Sequence, residues 1–187
     1  MKVYSIQQFK DEFARLGYVW DMSLNGNPFA IIGVRSQMSV PDKFDDALFV
    51  VINGTVYAFP CTTNPGKDYL LAPLNPKGTA NVKPGQYRYA YVFGLHKGLP
   101  ALIQTGAPIT VYRDADKDQI AEETAATETG FFGINIHRAN NTATSYLIGR
   151  WSAGCQVVAN PDDYEMFLAL CHTSGLSKFT YTLLKEF

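Results

Sequence analysis

The feature that most constrains the fold is a series of β-rich segments separated by turn residues. The clearest is 47–60, in which Asn53 and Gly54 lie between two runs of β-branched and aromatic residues. An Asn-Gly pair adopts the left-handed backbone of a two-residue turn, so this segment predicts an antiparallel hairpin. Further strands are predicted at 29–35, 85–94, 101–104, 109–112, 131–136 and 179–184. The chain is therefore expected to be mainly β with a few helices.

Two helices are predicted, one near each end of the chain. Ser5 and Gln8 form a capping-box pattern that begins the first helix, and Gly17 ends it. Asn160 caps the second helix, and Pro161 suits its first position. The second helix carries an apolar stripe at helical spacing, made of Tyr164, Phe167, Leu168 and Cys171.

Size and charge exclude several classes of protein. A chain of 187 residues is expected to be a single domain. Its net charge of −1 argues against a nucleic-acid partner. No segment approaches the roughly 20 apolar residues of a membrane span. Residues 1–17 carry charges at short intervals, so no secretory signal is predicted in this chain.

The three cysteines are widely spaced and odd in number, which does not suggest a disulfide framework. Cys171 lies on the apolar helical stripe, and we expect it to be a core residue. Cys155 differs because small residues, Ala153 and Gly154, precede it and would let a substrate approach the sulfur. His137 is predicted at the end of an upstream strand, where an imidazolium could stabilise the Cys155 thiolate. Backbone N–H groups at Gly154 and Cys155 could face a developing oxyanion.

The other histidines give weaker signals. His96 is expected in a hairpin turn, either solvated or on the rim of the cleft. His172 is expected at the end of the second helix, where a positive charge complements the helix dipole. The three histidines do not have the spacing of a zinc site such as HExxH.

The spacing of the cysteine segment is more specific than its composition. His137 is followed by fourteen residues and then by the run Ser152, Ala153, Gly154, Cys155. This pattern resembles the L,D-transpeptidase catalytic domain, whose signature is a histidine, fourteen to seventeen residues, and then Ser/Thr, one residue, Gly and Cys. The turn at 84–87, Pro-Gly-Gln-Tyr, is similar to an upstream element of that family. The resemblance covers 29–185, leaves the helix within 1–18 outside, and implies a β-sandwich or barrel-like fold.

The resemblance implies a peptidoglycan-directed cysteine acyl-transferase that acts on peptide stems through a thioester. Cys155 would be the nucleophile and His137 its acid–base partner, with Ser152 and Gly154 completing the catalytic motif. A backbone carbonyl often orients the histidine in this family, and Asn140 and Ser152 are alternatives here. The predicted substrate-binding residues are Arg138, Asn140, Arg150, Trp151, Ala153 and Gln156.

Three positions depart from the family pattern. Ala153 stands where a second histidine is usual, Val157 where Arg or Asn is usual, and Arg138 where Gly is common. Two alternatives therefore stay open. One is an L,D-carboxypeptidase or endopeptidase, including a phage- or prophage-derived one, that hydrolyses the same stems, and the other is an inactive wall-binding domain. The family implies a place in the cell envelope and no required cofactor.

A second group of polar residues suggests a structural calcium ion. Alternating carboxylates occupy one loop, at Asp114, Asp116 and Asp118. They resemble the first half of a calcium loop. The pattern then fails, because Gln119 replaces the turn glycine and Ala125 the bidentate glutamate. Glu122 or Glu123 could complete an irregular site that stiffens the loop leading to His137, and a solvated acidic loop is the alternative.

Overall fold

A computed structural model describes residues 2–124 and 126–187, with 38% of residues in strands and 16% in helices. The helices are α1 (Ile6–Leu16), α2 (Lys67–Leu71) and α3 (Pro161–Thr173). The strands are β1 (Asp21–Met22), β2 (Pro28–Arg35), β3 (Asp46–Ile52), β4 (Thr55–Thr62), β5 (Thr79–Val82), β6 (Gly85–His96), β7 (Leu99–Gln104), β8 (Ile109–Asp114), β9 (Thr127–Gly130), β10 (Ile136–Arg138), β11 (Gln156–Val158) and β12 (Lys178–Lys185). The prediction of a mainly β chain is confirmed.

Eight strands close into a β-barrel. Around the barrel they follow the order β2, β12, β6, β7, β10, β11, β4, β3, and β3 pairs back with β2. Most neighbours are antiparallel, whereas β12 with β2 and β10 with β11 are parallel pairs. Closure removes the exposed sheet edges that an open sheet would present.

The β3–β4 hairpin forms at the turn that the sequence predicts. Asn53 and Gly54 have φ angles of 51° and 75°, the left-handed turn that the dipeptide predicts. Every residue of β3 is buried, because one face points into the barrel and the other lies beneath α1.

The barrel interior is filled partly by its own strands and partly by α3. Tyr164, Phe167 and Cys171 of α3 are fully buried and belong to the same apolar cluster as the inward residues of the strands. The Tyr164 hydroxyl donates to the Ile136 carbonyl at 2.7 Å, which fastens α3 to β10. Cys171 is a core residue, as its place on the helical stripe predicts.

A second apolar cluster lies on the outer face of β2 and β3. Phe9 and Phe13 of α1 pack there with Phe49 of β3. The Ser5 capping box and the left-handed Gly17 that bound α1 are both present. The helix predicted outside the family resemblance thus shares a buried core with the barrel. No described helix is both long and apolar enough to cross a membrane.

Several segments differ from the sequence predictions, among them β1 and α2, which were not predicted. The expected strand at 131–136 is wrong for most of its length, since β10 begins at Ile136. The N–H groups of Phe132 and Gly133 donate instead to the Gln104 side-chain oxygen, at 2.9 and 3.1 Å. These two N–H groups therefore do not pair with a neighbouring strand. Strands β5 and β9 were not predicted, because Thr-Ala-Asn-Val and Thr-Glu-Thr-Gly lack a run of large apolar residues. Together with β8 they form a separate three-stranded sheet.

The cap of α3 can be tested directly. The Asn160 side-chain oxygen accepts from the N–H groups of Asp162 and Asp163, at 2.8 and 3.2 Å. We expect Asn160→Ala to lower the free energy of unfolding by about 1 kcal/mol. Asn160→Asp keeps an acceptor oxygen and should retain most of the stability. Urea denaturation of both variants measures the difference, and equal stability of Asn160→Ala and the parent chain would contradict this role.

Candidate active site

The pairing of β10 with β11 brings the two chemically important side chains to one surface. The strands are parallel, with Ile136 opposite Gln156 and His137 opposite Val157. Ile136 points into the barrel core, so His137 and the preceding Asn135 point outward. Cys155 lies opposite Asn135, since the Gln156 N–H donates to the Asn135 carbonyl at 2.9 Å. His137 and Cys155 are therefore diagonal neighbours on the outer face, a relation that usually separates Cα atoms by about 7–8 Å.

The orientation of His137 is fixed by the main chain. Its Nδ1 lies 2.7 Å from the Arg138 carbonyl oxygen, which can only accept, so Nδ1 carries the proton. Nε2 is left with the lone pair. This atom is buried and has no hydrogen-bond partner among the described residues. The residue that orients His137 is thus the backbone of Arg138, and neither Asn140 nor Ser152 serves this role.

His96 covers the other side of the imidazole. It is the last residue of β6, directly before the Lys97-Gly98 hairpin turn. Its ring stacks on His137 with 4.1 Å between centroids and 10° between planes. Its Nδ1 accepts from the Asn135 side-chain amide at 3.0 Å. The sequence left two positions open for His96, a solvated turn or the rim of the cleft, and the structure has it at the rim, beside His137.

Cys155 is held by the segment just before β10, at residues 133–135. Its sulfur accepts the Asn135 N–H at 3.4 Å and lies 3.8 Å from the Gly133 carbonyl, to which a thiol can donate. Burial raises the pKa of the Cys155 thiol to about 11. Burial, with smaller contributions from the neighbouring His96 and Lys97, lowers the pKa of His137 to about 4, and the hydrogen bond to the Arg138 carbonyl only partly opposes this shift.

Both groups are consequently neutral near pH 7. The expectation that an imidazolium stabilises a preformed thiolate is corrected, because burial disfavours the charged form of each group. Neutral His137 has a free Nε2 lone pair and can accept the thiol proton as the sulfur attacks, but a pKa of about 4 makes it a weak base before a substrate is bound.

Ser152 shapes the loop that carries the cysteine. It is fully buried, and its hydroxyl donates to the Cys155 carbonyl at 2.8 Å and accepts the Gly154 N–H at 3.1 Å. Gly154 therefore cannot offer its N–H to an oxyanion, contrary to expectation. The Cys155 N–H has no acceptor among the described residues and remains as the donor for this purpose.

Gly154 is required by its conformation and by its surroundings. Its φ of 123° lies in the region that favours glycine, and a Cβ there would lie 2.6 Å from the Ala80 carbonyl oxygen. The cysteine loop thus rests directly on β5 of the second sheet.

Three of the predicted substrate-binding residues have structural roles. Gln156 is buried inside the barrel, where it accepts from the Tyr181 hydroxyl at 2.7 Å and donates to Gly154. The Arg138 guanidinium donates to Asn141 at 3.1 Å and pairs with Glu165 at 3.3 Å. Asn140 accepts from the N–H of Thr142 within its own turn. Gln156 therefore points into the barrel, and the side chains of Arg138 and Asn140 are engaged by neighbouring protein groups, so none of the three is free to bind a substrate as predicted.

The remaining predicted binding residues lie nearer the surface. Trp151 is 41% exposed and lines a cavity of about 50 Å³ with His96, Lys97 and His137. Arg150 is exposed and Ala153 half-buried. Lys97 is the residue that sequence reasoning missed here, and its place after a strand-end histidine gave no signal for it.

A larger cavity of about 490 Å³ lies at the barrel end where β2 and β12 finish. Arg35, Ile148 and Lys185 are among its lining residues, whereas Cys155 and His137 are not. The loop that contains Ile148 continues to Cys155, so it borders both regions.

The acidic loop brings together a different set of residues from the one predicted. Ligand atoms of Asp114, Asp116 and Glu122 lie within 4.8 Å of one another. Asp118 is not in this group, and its carboxylate accepts the Ile120 N–H at 2.6 Å. Glu123 pairs with Arg35 at 3.0 Å and with Lys185. Ala125, where the calcium pattern failed, lies outside the described residues.

No protein-family model, curated protein or solved structure matches the chain.

The tight contact at Gly154 predicts a large effect of adding one methyl group. Gly154→Ala puts a residue with a Cβ at a positive φ angle and brings that Cβ against the Ala80 carbonyl oxygen. We expect it to lower the free energy of unfolding by about 2–4 kcal/mol. Gly54→Ala is the matched control, since its φ is 75° and nothing lies within 4 Å of its Cβ position. Gly54→Ala should lower the free energy of unfolding by about 1 kcal/mol, from backbone strain alone. Denaturant midpoints of the two variants give the comparison, and similar losses would show that the Ala80 contact is relaxed easily.

The buried imidazole predicts a specific pH dependence. The pKa of His137 is about 4 in the folded chain against an ordinary 6.5, so between these values the unfolded chain binds more protons. Stability is therefore lost as pH falls through this window. The stability difference between the parent chain and His137→Gln should change by about 3 kcal/mol between pH 7.5 and 4, to the disadvantage of the parent. Urea unfolding measures it, and an imidazole that titrates near 6.5 by NMR would overturn the prediction.

Proposed function

We propose that this chain is a cysteine acyl-transferase of the L,D-transpeptidase type, acting on peptidoglycan peptide stems. The observation that carries the proposal is the state of His137. Its Nδ1 is engaged by a main-chain carbonyl and its Nε2 is buried without a partner, on the same outward face as Cys155. The spacing from His137 to the Ser-Ala-Gly-Cys run supports the same class. A relation between the closed barrel and the fold of that family is part of the proposal.

In this mechanism the Cys155 sulfur attacks the carbonyl that links an L-centre of a meso-diaminopimelate-type residue to a D-amino acid. The thiol proton passes to His137 Nε2 as the C–S bond forms. The oxyanion accepts the Cys155 N–H, and the half-buried site keeps this interaction strong. His137 then protonates the leaving amine as the C–N bond breaks, which leaves a thioester on Cys155 and neutral His137.

The acceptor decides the second half of the reaction. An amine that attacks the thioester gives a cross-link, whereas water gives a shortened stem and makes the chain a carboxypeptidase or endopeptidase. His137 takes the acceptor's proton in either case.

Charge near the site suggests how the stem carboxylate is held. Arg138 is paired with Glu165, so it is a poor candidate. Lys97 borders the small cavity beside His137 and forms no ion pair with a described residue. Trp151 offers an exposed apolar surface on the same cavity. We therefore assign carboxylate binding to Lys97 and packing to Trp151.

One observation favours the wall-binding alternative. The Cys155 pKa is raised to about 11 and the His137 pKa is lowered to about 4, which makes the resting pair unreactive until a substrate is bound. A domain that binds stems without turnover could have the same resting state.

Incubation with a stem tetrapeptide separates these functions. We expect an intact mass increased by the acyl fragment, release of the D-amino acid, and peptide mapping that locates the adduct at Cys155. Cys155→Ala should abolish the adduct, and its retained Cys61 and Cys171 serve as buried internal controls. His137→Gln should slow acylation about 10²–10⁴-fold. A stem that binds without adduct or release would establish the wall-binding domain instead, and cross-linked dimers or shortened stems distinguish transfer from hydrolysis.

A further inference from the structure

Three carboxylates converge where β8 ends and the following loop begins. Asp114, Asp116 and Glu122 have ligand atoms within 4.8 Å of one another. Asp114 is the fixed member, since it pairs with Thr79 of β5. Gly78 packs so closely that a Cβ there would lie 2.1 Å from the Asp114 carbonyl oxygen. Asp116 and Glu122 approach this anchored residue from the loop.

The buried side of the cluster has unsatisfied oxygen atoms. Asp114 is fully buried, and its Oδ2 accepts the Glu122 N–H at 2.9 Å, while its Oδ1 has no partner among the described residues. The Asn81 side-chain oxygen is also buried without a described partner. Asn81 faces Tyr112 across the β5–β8 pairing, two residues from Asp114, so it lies on the same face of the sheet. Its amide donates to the Glu122 carbonyl at 3.4 Å, which brings it to the loop.

Nothing described neutralises this charge. Arg113 turns away and pairs with Glu128 at 2.8 Å, and no described Lys or Arg forms an ion pair with the three carboxylates. A buried carboxylate with like charges beside it is costly unless a cation is bound.

We propose that Asp114, Asp116 and Glu122 bind a divalent cation of the calcium class, with the Asn81 oxygen as a further ligand on the buried side. Calcium takes oxygen ligands at about 2.3–2.6 Å, so ligands on opposite sides of the ion can be about 5 Å apart. The ligand atoms of the three carboxylates lie within 4.8 Å of one another, which is close enough for one such ion to contact all of them. The site shares no residue with the candidate cysteine site.

The cation would hold both ends of the intervening loop. Gln119, Ile120 and Ala121 of that loop form part of the wall of the 490 Å³ cavity. Glu123 fastens the far end of the loop to Arg35. A bound ion therefore orders one wall of this cavity, a role different from stiffening the segment that leads to His137.

Calorimetric titration of the chelator-treated full chain with CaCl₂ tests the site. We expect one binding event with a Kd tighter than about 1 mM, the weak end of protein calcium sites. Glu122→Gln removes a half-buried ligand near the surface, so the chain should still fold, and the Kd should rise at least about tenfold. Asp118→Asn is the matched control, because it changes the same charge in the same loop at a residue outside the cluster. It should leave the Kd within about threefold.

The opposite outcomes are equally clear. Absence of a binding event in the parent chain would overturn the site. Equal weakening by Asp118→Asn and Glu122→Gln would also overturn it, because it would reveal diffuse attraction of counter-ions by an acidic loop. Hydrogen exchange gives a second measurement on the same samples. Amides of residues 115–122 should exchange more slowly in the presence of CaCl₂ in the parent chain and in Asp118→Asn, but not in Glu122→Gln.

Discussion

The parallel pairing of β10 and β11 is the interaction on which the candidate site depends. These two strands have three residues each and seventeen residues between them, so little of their stability is local. The barrel supplies the rest, because β7 and β4 flank them on either side and α3 packs beneath. A shift of one residue between them would turn Cys155 or His137 toward the core. The closed barrel therefore sets the register, and the register puts both side chains on the same outward face.

Burial then determines how that pair can work. The stack of His96 on His137 and the contacts of the Cys155 sulfur with residues 133–135, just before β10, contribute to the burial of the pair, and each group keeps its neutral form. An ion pair formed in advance would react with any electrophile that reached it. In the proposed reaction the neutral pair would react only when a carbonyl is bound and the thiol proton moves to Nε2. The unpartnered Nε2 atom is unusual for a buried polar group, and its proposed role as acceptor of the thiol proton would account for it. In a domain that only binds, the unpartnered Nε2 atom would lower the stability without serving a function.

Much of the fold could be predicted, because it is encoded locally. The Asn53-Gly54 turn, the capping box of α1 and the Asn160 cap depend on residues a few positions apart. The spacing of His137 and Cys155 spans eighteen positions, but it can be seen within one segment of the sequence. The roles of their neighbours could not be read in this way. Gln156 looked like a site residue from its position beside the cysteine, but the two-residue period of a strand turns it into the barrel. His96 and Lys97 reach the site only through the pairing of β6 with β7 and of β7 with β10, which involves residues some forty positions away in the sequence. The closure of the barrel and the meeting of Glu122 with Asp114 depend on such long-range pairing as well.

The second sheet supports both the cysteine loop and the acidic cluster. Strand β5 has only four residues; Gly154 packs closely against the Ala80 carbonyl, and Asp114 pairs with Thr79. The cysteine loop and the acidic cluster thus rest on adjacent residues of one strand. Because Gly154 has almost no free space there, any displacement of β5 must be taken up by the loop that carries Cys155. The acidic cluster would in turn pull on β5 through Asp114 if its carboxylates repelled one another without a cation between them. If the proposed cation binds, the position of Cys155 would therefore depend on charge balance in the acidic loop through β5, a strand that the residue pattern does not predict.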